Sequence, residues 1–120
     1  MEKIYSVEEL EVYKKAHSLT LELYKVTKKF PREELLALVS QIRRAASSIN
    51  ANLMEGSHRN NKKEYRQFVG ISRGSAGELK YHLLLSRDLN YINELEYDGF
   101  IDQVNSISKM LYGMIVRLGE

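Results

Sequence analysis

The chain has 120 residues, with 18 Lys+Arg against 16 Asp+Glu and an apolar share of 43%. These values predict one soluble globular domain over residues 1–120 and exclude a disordered chain. The absence of cysteine excludes disulfides, cysteine-based zinc sites and cysteine nucleophiles. No apolar run approaches the ~20 residues that a membrane-spanning helix needs, and the first ten residues lack the pattern of a signal peptide. We therefore expect a cytoplasmic protein with no membrane partner.

Two periodic segments fill the first half of the chain. The first opens at Ser6, where Glu9 three residues later completes a capping-box pattern, and its apolar residues recur every three or four positions up to Phe30. Pro31 is the only proline; it ends this helix and can begin the next, which is predicted from about residue 32 to residue 54. The apolar stripe of this second helix consists of Leu35, Leu38, Ile42, Ala45, Ile49 and Leu53.

Two further helices are predicted after the polar loop that follows Gly56. The third starts near Asn61, with Glu64 at the capping-box position, and a turn over residues 90–93 separates it from the fourth. The stripe of the third helix consists of Tyr65, Phe68, Ser72, Ala76, Leu79 and Leu83. That of the fourth consists of Tyr97, Phe100, Ile101, Val104, Ile107, Leu111, Ile115 and Leu118.

Four amphipathic segments joined by short loops are typical of a helical bundle. No segment shows the period of two that a strand requires. The sequence therefore predicts an all-α fold, an up-down-up-down antiparallel four-helix bundle.

The third predicted helix carries small residues on the side opposite its core stripe. Each glycine inside a helix costs about 1 kcal/mol relative to alanine, and such residues let another backbone come close. We therefore expect a contact with a second subunit, although a weakened helix or close packing within the same bundle would also explain the glycines. The expected oligomer interface consists of Gly70, Gly74, Gly77, Tyr81 and Leu85.

A row of basic residues lies between the glycines and the core stripe of the same helix. Most members recur at intervals of seven, which places successive charges ~10.5 Å apart along one helix edge. The row consists of Arg59, Lys62, Arg66, Arg73, Lys80 and Arg87. Such a row can follow a phosphate backbone, giving affinity with little sequence preference.

The charge is distributed unevenly along the chain. Residues 43–88 carry nine Lys+Arg against four Asp+Glu, a net of +5, whereas residues 89–120 carry two against five, a net of −3. Two other interpretations of the basic row stay open. It can simply solvate the edge of the bundle, or it can contact an acidic protein partner or the acidic fourth helix of a neighbouring subunit.

No catalytic motif is present. The chain lacks a phosphate-binding glycine loop, a Gly-x-Ser-x-Gly elbow and a His-Glu-x-x-His motif, and none of its three histidines follows an arginine at the spacing of one class of four-helix RNases. Glu78 and His82 share one helix face, but two ligands are too few for a metal site. We therefore expect no enzymatic activity, no metal and no cofactor.

The run over residues 41–56, QIRRAASSINANLMEG, strongly resembles the bacterial four-helix-bundle proteins encoded by intervening sequences of 23S ribosomal RNA genes. Three other segments resemble the same family: YKKAH at residues 13–17, FPREE at residues 30–34 and GSAGEL at residues 74–79. The resemblance covers about residues 7–118. A minor departure is Ser72, where the family pattern suggests alanine.

This resemblance implies an up-down bundle that forms homo-oligomers, expected to be pentameric rings. The family is also similar to the accessory subunit of diversity-generating retroelements, a basic ring that engages RNA and a reverse transcriptase. The resemblance implies no set of catalytic residues. The function expected on this basis is a non-catalytic oligomer that binds RNA or another nucleic acid through the basic row, and the alternative is a protein-interaction scaffold or accessory subunit.

The polar residues of the resembling segments also have a structural explanation. If the second and third helices pack in antiparallel orientation, their polar flanks meet, and Arg44 can form a charge-assisted hydrogen bond with Glu78 or Glu55. The expected structural polar network consists of Arg44, Asn52, Glu55 and Glu78.

Overall fold

The structure, a computed structural model, describes residues 6–120. Within this range the chain forms four α-helices and two short 3-10 helices, and no strand. The helices are α1 (Glu11–Thr27), α2 (Leu38–Ser57), α3 (Lys62–Asp88) and α4 (Glu94–Leu118). The predicted all-α four-helix bundle is confirmed. Residues 1–5, part of the segment in which no signal peptide is expected, lie outside the described range.

Neighbouring helices run in opposite directions. Arg66 of α3 contacts the carbonyl of Ile115 and Arg73 that of Ser108, so residue numbers rise along α3 as they fall along α4. Contacts between α1 and α2, α2 and α3, and α1 and α4 reverse in the same way. The result is an elongated body of 52 × 24 × 19 Å in which α3 packs between α2 and α4.

The predicted stripes of α3 and α4 face the core. Ser72, Ala76, Leu79 and Leu83 of α3 are buried, as are the central residues of the α4 stripe, while Tyr65 and other residues near the helix ends are half-buried. Three further buried residues of α3 lie outside the predicted stripe: Val69, His82 and Ser86. Burial of aliphatic side chains at about 25 cal/mol per Å² is the main stabilising contribution in such a bundle.

The predicted starts of the first two helices are wrong. Ser6 makes no side-chain cap; it precedes a 3-10 turn at Val7–Glu9 whose first residue is buried, and Leu10 is extended, so α1 begins only at Glu11. Similarly, α2 begins at Leu38 rather than near residue 32, because a 3-10 helix at Arg32–Glu34 and a non-helical Ala37 interrupt the chain. Leu35, expected in the core stripe, is 53% exposed as a result.

The starts of α3 and α4 are set by asparagine caps. The Asn61 side chain accepts a hydrogen bond from the Glu64 amide at 2.8 Å, as predicted for α3. At α4, Asn93 and Glu96 form a reciprocal capping box. The hydrogen bond that the Glu96 carboxylate accepts from the Asn93 amide holds the pKa of Glu96 below its usual range, and Lys29 adds to this effect. A tight turn separates the two helices, with Asn90 at a φ of 64°.

No helix within residues 6–120 is both long enough and apolar enough to cross a bilayer.

Candidate nucleic-acid interface

The basic row of α3 follows the edge of that helix which faces α4. Arg66, near the start of α3, donates from Nε to the Ile115 carbonyl at 2.9 Å, close to the end of α4. Arg73, two turns further, donates from Nε to the Ser108 carbonyl at 3.3 Å. Lys80 lies seven residues after Arg73 and Lys62 lies four residues before Arg66, so helical geometry places both on the same edge.

Aromatic residues of α4 support two of the arginines. The guanidinium of Arg73 lies 5.0 Å from the centre of the Tyr112 ring, and that of Arg87 lies 4.4 Å from the centre of the Tyr97 ring. Cation–π contacts at exposed sites contribute about 0.5–1 kcal/mol each. Tyr112 does not belong to the surface predicted from the sequence. Its partnership depends on how α3 and α4 are aligned, which is a tertiary feature.

The charges at the two ends of the row are compensated. Arg87 contacts Asp88 at 3.1 Å and Glu94 at 3.7 Å, and the hydrogen bond from Arg87 to Asp88 raises the pKa of Arg87. At the other end Arg59 pairs with Glu55 at 3.3 Å.

Arg59 also departs from the predicted line. Its guanidinium lies 4.7 Å from the centre of the Phe68 ring, and Phe68 packs beside Gly56 of α2. Because Arg59 precedes the first residue of α3, the helical register does not hold its side chain on the edge that faces α4. Arg59 therefore belongs to the turn between α2 and α3.

The middle of the row keeps its full charge. Within residues 6–120, Lys62, Arg66, Arg73 and Lys80 have no carboxylate within ion-pairing distance, and all four are exposed. We call these four residues the uncompensated basic segment. It spans 19 residues of helix, or about 27 Å for the 18 steps of 1.5 Å between its first and last residues.

The glycines of α3 face away from the bundle. A Cβ atom placed on Gly70, Gly74 or Gly77 would meet no atom within 4 Å, which excludes close packing against any other described part of the same chain. Tyr81, on the same side, is 58% exposed. Leu85 differs from the other four expected interface residues, because it is half-buried against the core of its own chain.

The three glycines border a shallow groove of about 530 Å³. Arg73 lines it from α3, and Ser108 and Ile115 line it from α4. The groove brings the glycine surface and the uncompensated basic segment next to each other. A chain that docks on the glycines would therefore lie beside the basic row.

The polar network between α2 and α3 forms with different partners from those expected. Ser48 and Ser75 share a hydrogen bond of 2.8 Å across the two helices, and the Asn52 amide donates to the Ser48 hydroxyl at 2.9 Å. The expected bond between Arg44 and Glu78 or Glu55 is not formed within the part of the chain that the structure describes. Instead, Glu55 contacts Arg59, and Glu78 contacts His82 at 3.8 Å. In both cases the partner is the residue four positions later in the sequence.

Arg44 lies at a polar cavity instead. The cavity measures about 330 Å³ and is lined by Gln41, Arg44, Glu78 and His82. His82 is 8% exposed, and its Nδ1 has no partner among the described residues. No group of three or more His, Asp or Glu residues within residues 6–120 is arranged to hold a metal ion.

Comparison with known proteins agrees with this architecture. A crystal structure of a protein of unknown function from the S23 ribosomal protein family of Bacteroides thetaiotaomicron superposes with a TM-score of 0.80 at 24% identity, covering 87% of this chain and 97% of that one. At this level of identity the similarity shows the fold. No curated protein matches the chain. The family model of the 23S rRNA-intervening sequence protein matches residues 8–113. This match extends over almost the whole bundle, and the chain therefore belongs to the 23S rRNA-intervening sequence protein family.

Proposed function

We propose that this protein is a non-catalytic, homo-oligomeric bundle that binds RNA or another polyanion through the basic edge of α3. The observation that carries the proposal is the uncompensated basic segment, Lys62, Arg66, Arg73 and Lys80. Four exposed cations on one helix edge match the repeated negative charge of a nucleic-acid backbone. Because such contacts go to phosphates, we expect weak sequence preference and a strong dependence on salt.

Contacts with α4 hold two arginines of the row in place, and this supports a role in binding. Arg66 is held by the Ile115 carbonyl, and Arg73 is held by the Ser108 carbonyl and the Tyr112 ring. Each guanidinium keeps further N–H groups for an external acceptor, because Nε alone makes the bond within the chain. Side chains held in this way lose less conformational entropy on binding than free ones.

The open glycine surface supports self-association. Gly70, Gly74 and Gly77 cost helix stability, and nothing within the described chain packs on them. A second copy that docks there would use the close backbone approach which glycine permits. The pentameric ring implied by family resemblance stays a proposal, and a ring would repeat the basic edge around its circumference.

The sharpest test reverses charges that make no contact within the fold. Lys62→Glu combined with Lys80→Glu changes the two exposed lysines of the row, neither of which forms an ion pair among the described residues. We expect RNA affinity to fall at least about tenfold at low salt. The slope of log K against log salt should decrease by about 0.7 for each phosphate of a single strand that the variant no longer neutralises.

The matched control reverses two lysines on another face. Lys15→Glu with Lys25→Glu makes the same change in net charge on exposed positions of α1. Fluorescence anisotropy with a labelled RNA would compare the three proteins, and circular dichroism would verify that each is folded. Equal decreases in affinity in both double variants would mean that net charge alone attracts the RNA. Unchanged affinity in the α3 variant would contradict the proposal.

An acidic protein partner is the second candidate for the same row. It is favoured by the two ends of the row, where Arg59 and Arg87 already pair with carboxylates. In that case the protein acts as a scaffold or accessory subunit. Co-purification of an acidic protein, with no nucleic acid retained at physiological salt, would favour this role over RNA binding.

A further inference from the structure

A third pocket, separate from the groove and the polar cavity described above, opens at the end of the bundle where α1 ends and α2 begins. It measures about 430 Å³. Its apolar lining consists of Phe30, Pro31, Leu35 and Val39. Phe30 and Val39 belong to the buried core, whereas Leu35 is 53% exposed at the rim. The pocket therefore offers a small apolar floor that is continuous with the core.

Cations surround this floor. Lys28, Arg32 and Arg43 line the pocket, and none of the described residues that line it carries a carboxylate. Arg43 is held in place, since its Nε donates to the Thr27 hydroxyl at 3.0 Å and its guanidinium lies 4.6 Å from the centre of the Tyr24 ring. Lys28 and Arg32 are exposed and form no ion pair within residues 6–120.

The nearby acidic residue Glu34 does not compensate these charges. Its carboxylate accepts a hydrogen bond of 2.8 Å from the Tyr91 hydroxyl, a contact that raises the pKa of Tyr91. Glu34 is therefore engaged at the turn between α3 and α4. The pocket combines an apolar floor with uncompensated positive charge, which is the chemistry that recognises an apolar side chain flanked by carboxylates.

A surface with the complementary chemistry lies on α4 of the same protein. Glu94, Asp98 and Asp102 recur at four-residue intervals, so they form one acidic stripe, and all three are exposed. Leu95 adjoins this stripe and is 83% exposed. Among the described residues Asp98 and Asp102 have no basic partner within ion-pairing distance, and Glu94 lies 3.7 Å from Arg87.

We infer that the cationic pocket of one copy binds the Leu95-bearing acidic stripe of a second copy. Leu95 projects into solvent, so it does not fill the pocket of its own chain. Both surfaces lie at the same end of the bundle, where Lys29, just after α1, forms an ion pair of 3.3 Å with Glu96 of α4. A neighbour that is displaced sideways can therefore present its stripe to the pocket.

The contact joins two different patches, so it is heterologous. Repetition of such a contact closes a ring or extends a filament. It uses neither the basic row nor the glycine surface, and it therefore goes beyond the function proposed above. Its electrostatic part should weaken as salt rises, because the participating side chains are exposed.

Charge-reversal variants test this contact in two ways. Each variant alone should weaken self-association, and mixing the two variants should restore it. The pocket variant carries Lys28→Glu and Arg32→Glu, and the stripe variant carries Asp98→Lys and Asp102→Lys. Arg43 is left unchanged because its bonds to α1 support the fold. Each variant alone opposes like charges, so self-association at low salt should weaken at least about tenfold. Mixed together, the variants oppose unlike charges in both possible contacts, and association should return.

The apolar part is tested by a matched pair of leucines. Leu95→Gln removes the side chain that should enter the pocket, whereas Leu36→Gln changes a 92% exposed leucine at the same end of the bundle that does not line it. Sedimentation velocity over a concentration series should show weaker association for Leu95→Gln and no change for Leu36→Gln. Circular dichroism verifies the fold of every variant.

Three results would overturn the inference. The first is a mixture of the two charge variants that associates no better than either variant alone. The second is an equal effect of Leu95→Gln and Leu36→Gln. The third is a wild-type protein that stays monomeric but binds an acidic leucine-containing peptide in the pocket, which would make a different protein the partner. By contrast, if the protein proved not to bind RNA, the function proposed above would be wrong, but the contact between copies inferred here would not be affected.

Discussion

Small residues on the two sides of α3 have opposite surroundings. At the contact between α2 and α3, small residues of both helices permit close packing: a Cβ atom on Gly56 of α2 would lie 2.7 Å from Cβ of Phe68, and the Ser72 hydroxyl of α3 donates to the Ile49 carbonyl at 2.8 Å. On the outer side, Gly70, Gly74 and Gly77 have open space around them. Packing within this chain therefore explains Gly56, but it does not explain the three glycines on the outer side of α3.

This contrast separates stability from function. The contacts of α3 with α2 are buried and hold the bundle together. The outer side and the edge toward α4 contribute exposed glycines and exposed cations, which the isolated bundle does not need. Residues that cost stability without a partner in the fold are the best candidates for contacts with other molecules.

The largest effect is expected from a methyl group added at the packed side. Gly56→Ala would push Phe68 and Tyr65 of α3 away from α2, and overpacking of this kind costs about 1–3 kcal/mol. The better helix propensity of alanine offsets about 1 kcal/mol of this cost. Because the 2.7 Å contact is to a Cβ atom that is fixed to the backbone, we expect a net decrease in the free energy of unfolding of up to about 2 kcal/mol, measured by urea denaturation. An unchanged or raised stability would mean that α2 and α3 can separate freely at this point.

The same substitution on the open side should have the opposite sign. Gly74→Ala meets no atom within 4 Å, so the stability of the isolated chain should rise by about 1 kcal/mol from helix propensity alone. If a second copy docks on this surface, self-association should weaken at the same time. Thermal unfolding and light scattering on one sample measure both quantities. A gain in stability with unchanged association would remove Gly74 from the proposed interface.

The smallest change in stability is expected at the edge facing α4. Arg73→Met keeps much of the packing against Tyr112 but removes the charge and the bond to the Ser108 carbonyl. That bond is long and exposed, so water can replace it, and stability should decrease by only about 0.5 kcal/mol, the lower limit for an exposed cation–π contact. Nucleic-acid affinity should nevertheless fall, because methionine cannot neutralise a phosphate. A variant destabilised as much as Gly56→Ala would show that the arginine is structural. In that case the proposed separation of roles along α3 would not hold.

Much of this protein could be derived from the sequence alone. The three- and four-residue spacing of its apolar residues determined four amphipathic helices, and an asparagine followed by a glutamate three residues later placed the start of α3 correctly. The spacing of the basic residues within α3 determined that they share one edge, because helical geometry is local, whereas Arg59 precedes the helix and leaves that edge. The early start predicted for α2 failed, since Ala37 leaves the helical conformation where the chain turns.

The partners of these residues were decided only by the tertiary structure. Whether Glu78 of α3 meets Arg44 of α2, and whether Arg73 lies over Tyr112, depends on the axial alignment of helices that are far apart in the sequence. The same holds for the glycines: their position on a helix follows from the sequence, but only the packed bundle shows that one is enclosed and three are open. Local periodicity determines which face a residue occupies, and packing determines what that face meets.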